Sequence, residues 1–310
     1  MRITQHDREG LRMGSKTADF AKQGLISPPK WLPDHVMYET IVGSVAYGVS
    51  NEWSDADIYG FCIPPKEVVF PHLAGEILGF GRQKKRFEQY QGHHITDGEK
   101  EYDITIFSIV KYFHLCMENN PNMIDSLFTP ANCVLHATQV GQRVRENRRL
   151  FLHKGCWHKF KGYAYSQLHK MTSKNPAGKR QEIVEQFGYD LKFAYHTVRL
   201  ISEVEQILSE GDLDLQRNRE ELKSIRRGEW TETAVKDYFA RKETELEKVY
   251  HESQLPYSPD EERIKNLLLE CLEEHYGSLD SCVVVPERAV TYLRGIQEII
   301  AKATAAGLIS

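Results

Sequence analysis

No stretch of this 310-residue chain stays apolar long enough to cross a bilayer, which excludes a membrane-spanning enzyme as the expected class. The first residues, MRITQHDREGLRMGSK, hold no apolar core of the kind a secretory signal needs. The six cysteines (Cys62, Cys116, Cys133, Cys156, Cys271 and Cys282) lie far apart with no CxxC pair, so they read as reduced thiols rather than a disulfide framework. Positive charge is not in excess: the net charge of −4 rules out a basic coat for nucleic acid. Also missing are GxSxG, Walker A and GxGxxG segments, which argues against hydrolase, P-loop and dinucleotide-binding readings. His93-His94 has no Cys or Glu at zinc spacing. No internal repeat or low-complexity tract is present. These absences leave a cytoplasmic globular enzyme of about two domains as the expectation.

What is present changes character near residue 150. Before it, short β-like runs alternate with helices: YETIVGS (38–44), DIYGFCIP (57–64) and EYDITIF (101–107). The last runs into SIVKYFHLCMENN, where Ile109, Phe113 and Cys116-Met117 recur at helical spacing. Pro64-Pro65 stops the second strand and Asn120-Pro121 the helix. The intervening HLAGEILGFGRQKKRFEQYQGHHITDGEK is glycine-rich and polar, and reads in part as a mobile loop. After residue 150 the pattern is nearly all helical. Helices are expected over about 157–172, 181–209, 231–253 and 259–275, with SKNPAGKR (173–180) as a connecting loop. The longest of these carries Val184, Phe187, Leu191, Ala194, Val198 and Ile201 as one apolar stripe. The fold class is therefore α+β: residues 1–150 form a mixed-sheet module with helices, and residues 151–310 a helical domain.

The chemistry concentrates in IVGSVAYGVSNEWSDADIYG (41–60). A Gly43-Ser44 turn after a buried strand presents backbone N–H groups and a hydroxyl to phosphate oxygens. Asp55 and Asp57, at i and i+2 of the next strand, point to one face and can grip one hard cation. Taken alone, S-D-x-D is more often a turn leading into an exposed strand. Together and in this order, GSxAYG followed by SDxDxxG resembles the DNA polymerase beta-type nucleotidyltransferase superfamily. Within it, the chain resembles the branch described as RNA-repair-pathway polymerase-beta-like proteins, over roughly residues 36–215.

That resemblance implies metal-dependent transfer of an NMP unit from an NTP to a hydroxyl, with Mg²⁺ (or Mn²⁺) as cofactor and pyrophosphate leaving. Such a site takes a third carboxylate from a later strand. Glu101 and Asp103 share a face, and spacing does not separate them. The family pattern of an Asp before an apolar strand end and an aromatic helix fits DITIFSIVKYF, so Asp103 is implied and Glu101 held in reserve. Ser44 is implied as a contact to the β and γ phosphates, with the Gly43-Ser44 backbone helping, and Gly48 permits the tight turn.

GYDLKFAYHTVRL (188–200) also resembles the family, and sets Lys192, His196 and Arg199 at i, i+4 and i+7 along one side of a helix, largely away from its apolar stripe. They read equally as a basic stripe facing the carboxylate cleft, binding nucleotide or acceptor phosphates, or as two surface cations around a packing histidine. KFKGYAYSQLHK (159–170) aligns Lys161, Tyr165 and His169, with its aromatics read as core. NPNMIDSLF (120–128) reads as a helix restart that holds the strand of Asp103.

The association of the look-alikes with RNA repair implies an RNA 3′ end as acceptor, in tRNA or cleaved RNA. A protein, a small molecule, or NTP binding without turnover are the alternatives. RNA contact would fall to local clusters such as RQKKR (82–86), Arg143-Arg145-Arg148-Arg149 or Arg226-Arg227, though a solvated face is the default reading of each. The Ser54-Asp55 step has no activating histidine that the sequence can place beside it. Residues before Val36 and beyond about 230 carry no interpretable motif.

Overall fold

The computed structural model describes residues 14–50, 55–83, 85–173, 178–279, 282 and 286–309; Ser54, Lys84 and part of the 173–180 connection lie outside them. The chain enters through α1 (Lys16–Lys22), whose N-terminus is satisfied twice. Ser15 Oγ accepts from the Ala18 N–H at 3.2 Å, and the buried Glu39 carboxylate accepts from the Lys16 and Thr17 N–H groups at 2.7 and 3.0 Å. A charged side chain in mid-strand is tolerated here because helix N–H groups surround it. Burial still pushes the Glu39 carboxyl up from its ordinary range.

Glu39 belongs to β1 (Val36–Val42), followed by β2 (Ala56–Cys62) and the single helical turn α2 (Lys66–Val69). Next come β3 (Gln89–Asp97), β4 (Lys100–Ser108), α3 (Ile109–Met117), α4 (Pro121–Phe128), β5 (Val134–Ala137) and α5 (Gln139–Glu146). The five strands form one mixed sheet in the order β3-β4-β2-β1-β5. Only β2 and β4 run parallel; the other pairs are antiparallel. Ser108 ends β4 and caps α3, its Oγ accepting from the Lys111 N–H at 3.2 Å. Asn120 caps α4 with Pro121 at its first turn, so the Asn-Pro step is a restart.

The remainder is helical: α6 (Cys156–Ser173), α7 (Lys179–Phe187), α8 (Leu191–Glu210), α9 (Arg219–Arg226), α10 (Glu232–Glu252), α11 (Glu261–Tyr276) and α12 (Pro286–Ala305). Among the described residues no helix is long and apolar enough to cross a membrane. One apolar core crosses residue 150 without a break: Phe61 and Tyr112 from the sheet half join Trp157, Phe160, Val198 and Ile201 from the helices. The opposite face of the sheet carries a smaller cluster that includes Phe20, Leu32, Ile58, Ile95 and Ile104. Side chains alternate along a strand, so Asp57, Tyr59 and Phe61 face the helical half while Ile58 faces away.

Two expectations are corrected. The stripe over 181–209 belongs to two helices, because Gly188 ends α7 at φ 82° and Asp190 starts α8, its Oδ1 accepting from the Lys192 N–H at 2.9 Å. Periodicity passes over this break because Val184 and Phe187 before it and Leu191, Ala194, Val198 and Ile201 after it keep helical spacing in the sequence. The polar segment before residue 100 contains an entire strand, β3, which sits at the sheet edge and alternates weakly because most of its side chains are exposed.

Gly141 in α5 lies so close to the Met37 carbonyl of β1 that an added methyl group would drive into backbone. Gly141→Ala is therefore expected to lower stability by about 1–3 kcal/mol. Gly162 in α6 has open space around it, and Gly162→Ala is expected to raise stability by up to about 1 kcal/mol. Urea denaturation of both variants checks the opposite signs.

Candidate active site

Pairing of strands, rather than proximity in sequence, assembles the acidic groups. The parallel β2–β4 ladder sets Asp57 directly opposite Asp103, and the antiparallel β1–β2 ladder sets Val42 opposite Asp57. Asp103 and Asp57 thus share the sheet face that looks toward the helices. Asp55 stands exposed just before β2. Burial raises the Asp57 pKa, the Asp103 and Asp55 carboxylates raise it further, and the Lys192 ammonium opposes them. Glu101 faces Thr96 in the β3–β4 register and gives its carboxylate to the His94 ring, so Asp103 is the one in register with Asp57.

After Val42 the chain makes a compact turn. The Tyr47 N–H donates to the Gly43 carbonyl at 3.1 Å, that of Gly48 to Val45 at 3.0 Å, and that of Val49 to Ser44 at 2.9 Å. Both Gly43 (φ 69°) and Gly48 (φ 67°) are left-handed. At Gly43 a Cβ would stand 2.7 Å from Asp57 Oδ2, so the carboxylate packs on the turn itself. Ser44 is half-buried on the same turn. The helical half holds this turn in place: Gln216 Nε2 donates to the Ala46 carbonyl at 3.1 Å and the Arg226 guanidinium to that of Val49 at 2.6 Å.

A cavity of about 200 Å³ opens beside the carboxylates, lined by Gly43, Asp57, Asn122, Tyr163, His196 and Arg199 among others. Its size suits part of a nucleotide rather than the whole. Of the three basic residues of α8, His196 and Arg199 line this cavity and Lys192 does not. Lys192 is exposed, His196 is half-buried, and Arg199 is only 3% exposed. Arg199 donates to Tyr47 Oη at 2.6 Å, to Glu203 Oε1 and Oε2 at 3.0 and 3.1 Å, and to Asp125 Oδ2. Tyr47 Oη also donates to Asp125 at 2.6 Å. The expected one-sided basic stripe is thereby corrected: α8 is buried on nearly all sides, and its third cation is spent on core carboxylates. Burial works against the charge on Arg199, but Glu203, Tyr47 and Asp125 hold it. Burial, with Arg199 and Lys192 nearby, pushes His196 well below the usual histidine range, so its ring is neutral.

Sequence reasoning did not single out Asp125, Glu203 or Asn122. The one available signal was an acid inside an apolar helical phase, Asp125 within NMIDSLF and Glu203 one turn after Arg199.

The other basic clusters are mostly consumed internally. Arg143 pairs with Glu270 and Glu274 at 3.2 and 2.6 Å, Arg145 donates to Tyr38 Oη at 3.1 Å, and Arg148 lies 5.0 Å over the Phe128 ring. Arg149 pairs with Asp212 and Arg227 with Glu229. Arg82, Lys85 and Arg86 are exposed, on a segment that joins the end of β2 to the start of β3, at the strand ends opposite the carboxylates. Lys161 turns to Glu243 at 3.5 Å, away from the cavity, and Tyr165 is 64% exposed rather than core.

Among the described residues no group of three or more His, Cys, Asp or Glu side chains is gathered around one metal position. The donor chemistry nonetheless suits a divalent cation. Asp57 and Asp103 offer hard oxygens from adjacent strands with Asp55 nearby, and the repulsion that raises the Asp57 pKa is what such a cation relieves.

The Arg199 cluster makes two predictions. Arg199→Met leaves two buried carboxylates uncompensated and is expected to cost about 3–5 kcal/mol in denaturant unfolding. Burial raises the Glu203 pKa well above its ordinary 4.5, so stability present below pH 4.5 is lost as pH rises through the folded-state value. Glu203→Gln removes that loss. Its stability relative to wild type should climb with pH above 4.5, by at most about 1.4 kcal/mol per pH unit, as unfolding across a pH series would read.

Residues 17–270 match the model of the RNA repair pathway DNA polymerase beta family. No curated protein matches the chain. Among solved structures, a nucleotidyltransferase-like protein from Exiguobacterium sibiricum 255-15 is similar at 9% identity and a TM-score of 0.29, covering 83% of this chain and 72% of that one. The match spans the turn at Gly43, the paired Asp57 and Asp103, and the cavity wall of α8, and on it the chain belongs to the RNA repair pathway DNA polymerase beta family.

Proposed function

We propose that this protein is a metal-dependent nucleotidyltransferase that moves NMP from an NTP to the 3′ hydroxyl of an RNA, in tRNA or at a cleaved end, within the cytoplasm. The observation that carries this is the register of Asp57 against Asp103 with the Gly43-Ser44 turn packed on Asp57. Asp57, Asp103 and Asp55 are the residues to hold Mg²⁺ or Mn²⁺. A cation held there would supply neutralisation of phosphate charge and a lower pKa for the attacking hydroxyl. Gly43 and Ser44 cradle the triphosphate with backbone N–H groups and a hydroxyl, and Lys192 adds the exposed positive charge. His196, kept neutral in the cavity wall, offers one donor and one acceptor without competing for the phosphates. Arg199 acts at a distance, fixing the turn through Tyr47.

A mutually repelling carboxylate set, with Asp57 partly withdrawn from solvent, costs stability that a purely structural site has no reason to retain. Asp57→Asn is therefore expected to fold at least as stably as wild type while losing label transfer by about 10³-fold, near 4 kcal/mol at 1.36 kcal/mol per factor of ten. The assay supplies each α-labelled NTP with Mg²⁺ or Mn²⁺ to pooled RNA, tRNA and protein. Labelled RNA, lost in Asp57→Asn and Asp103→Asn and falling steeply with salt, supports the reading. Labelled protein replaces the acceptor. Tight NTP binding with no label in any pool sinks turnover and leaves a nucleotide-binding regulator.

A further inference from the structure

The edge strand β3 departs from regular pairing at one place, and that place adjoins Asp103. Pairing runs in step from Gln89 opposite Phe107 to Gly92 opposite Ile104, then resumes at Ile95 opposite Tyr102. Three steps along β3 thus match two along β4, which is a one-residue bulge. His94 sits in it at φ 54°, a left-handed conformation uncommon for a side-chain-bearing residue. The bulge is clamped on both sides: a Cβ on Gly92 would lie 3.0 Å from Ile95 Cδ1, and Ile95 is buried in the smaller core with Ile104.

The kink turns two groups onto one carboxylate. The His94 backbone N–H donates to Asp103 Oδ1 at 2.9 Å, and His93 Nδ1 lies 3.3 Å from Oδ2. Oδ1 of Asp103 is therefore held from the β3 side by a backbone N–H, with His93 Nδ1 at ion-pair distance from Oδ2, while Asp57 stands opposite on β2. The His93 ring and Asp103 are 56% and 39% exposed, and a pair that wet adds little to stability.

We infer that His93 is a positioning residue for the transfer site, with the β3 bulge fixing the Asp103 carboxylate in the orientation in which it meets a divalent cation beside Asp57. The inference rests on Asp103 being the third acidic residue of the proposed reaction. His93 acts through Asp103, as residues that orient a metal-binding carboxylate from behind do. The ring of His94 has a separate role, pairing with Glu101 at the surface.

The test compares His93→Ala, His93→Asn, His94→Gly and Asp103→Asn with wild type. Free Mn²⁺ is titrated into each chain and followed by electron paramagnetic resonance, beside kcat and KM for NTP and the unfolding midpoint. His93→Ala is expected to weaken Mn²⁺ binding and lower kcat by about 10- to 100-fold, with KM and the unfolding midpoint little changed. His93→Asn restores most of both, because its amide N–H stands where Nδ1 did. His94→Gly keeps the backbone N–H at a φ that suits glycine and matches wild type. Wild-type Mn²⁺ affinity in His93→Ala, no rescue by Asn, or a loss that follows a lowered midpoint overturns the inference. Full Mn²⁺ binding and transfer in Asp103→Asn would overturn the reading of Asp103 itself. Loss in Asp103→Asn with His93→Ala intact removes the inference alone.

Discussion

The buried guanidinium of Arg199 is the interaction on which the rest of the site depends. It comes from α8 in the helical half, and its partners come from three places: Asp125 on α4, Glu203 one turn along α8, and Tyr47 in the turn after β1. All three charged groups are at most 3% exposed, so each needs the others to remain in the core. Such a cluster is weak evidence for net stability, since apolar residues of equal volume would do as well or better. What it specifies is position. Arg199 holds Tyr47, Tyr47 belongs to the turn that begins at Gly43, and Gly43 touches the Asp57 carboxylate. A displacement of α8 relative to the sheet therefore reaches the acidic edge through three residues.

Electrostatics around the cavity follow from this division of labour. A chain of net charge −4 that presents Asp55, Asp57 and Asp103 on one sheet edge repels a triphosphate unless something compensates. Arg199 cannot, because two carboxylates already surround it. His196 cannot, because burial and its cationic neighbours keep it neutral. Lys192 is the cation of α8 left exposed, and its influence on Asp57 is opposed by two carboxylates. The deficit of positive charge beside the acidic groups is the physical reason a divalent ion suits the proposed site, independent of any likeness to other proteins.

Much of this was legible in the linear chain, and the exceptions share a cause. The Gly43-Ser44 turn, Asp57 and the β4 segment are local features, and each lies on the element its residue pattern predicts, whereas Asp55, expected on the same strand as Asp57, stands just before β2. The exceptions depend on partners distant in sequence. Arg199 reads as a surface cation until Asp125, 74 residues earlier, is placed beside it. The break at Gly188 is hidden because the apolar residues on either side of it keep one helical spacing. Strand β3 is hidden because an edge strand exposes most of its side chains, and its bulge interrupts what alternation remains. The basic clusters mislead for the same reason: their carboxylate partners, Glu270 for Arg143 and Asp212 for Arg149, lie far along the chain.

Register sets the spacing of the acidic pair more directly than any property of the acids. Asp57 meets Asp103 because β2 and β4 pair in parallel without irregularity from Ala56 opposite Tyr102 to Cys62 opposite Ser108. A slip of one residue would bring Tyr102 or Ile104 opposite Asp57 and send Asp103 to the other face. The register is held by residues with no chemistry of their own. Phe61 and Phe107 are buried on the helix side, Ile58 and Ile104 on the other. Gly60 admits the Tyr38 carbonyl so closely that no other residue fits there. With the core fixing β2 against β4 and the bulge taking up the mismatch in β3, the apolar residues of the sheet determine where the carboxylates stand. The carboxylates themselves could be exchanged for their amides without moving any of it.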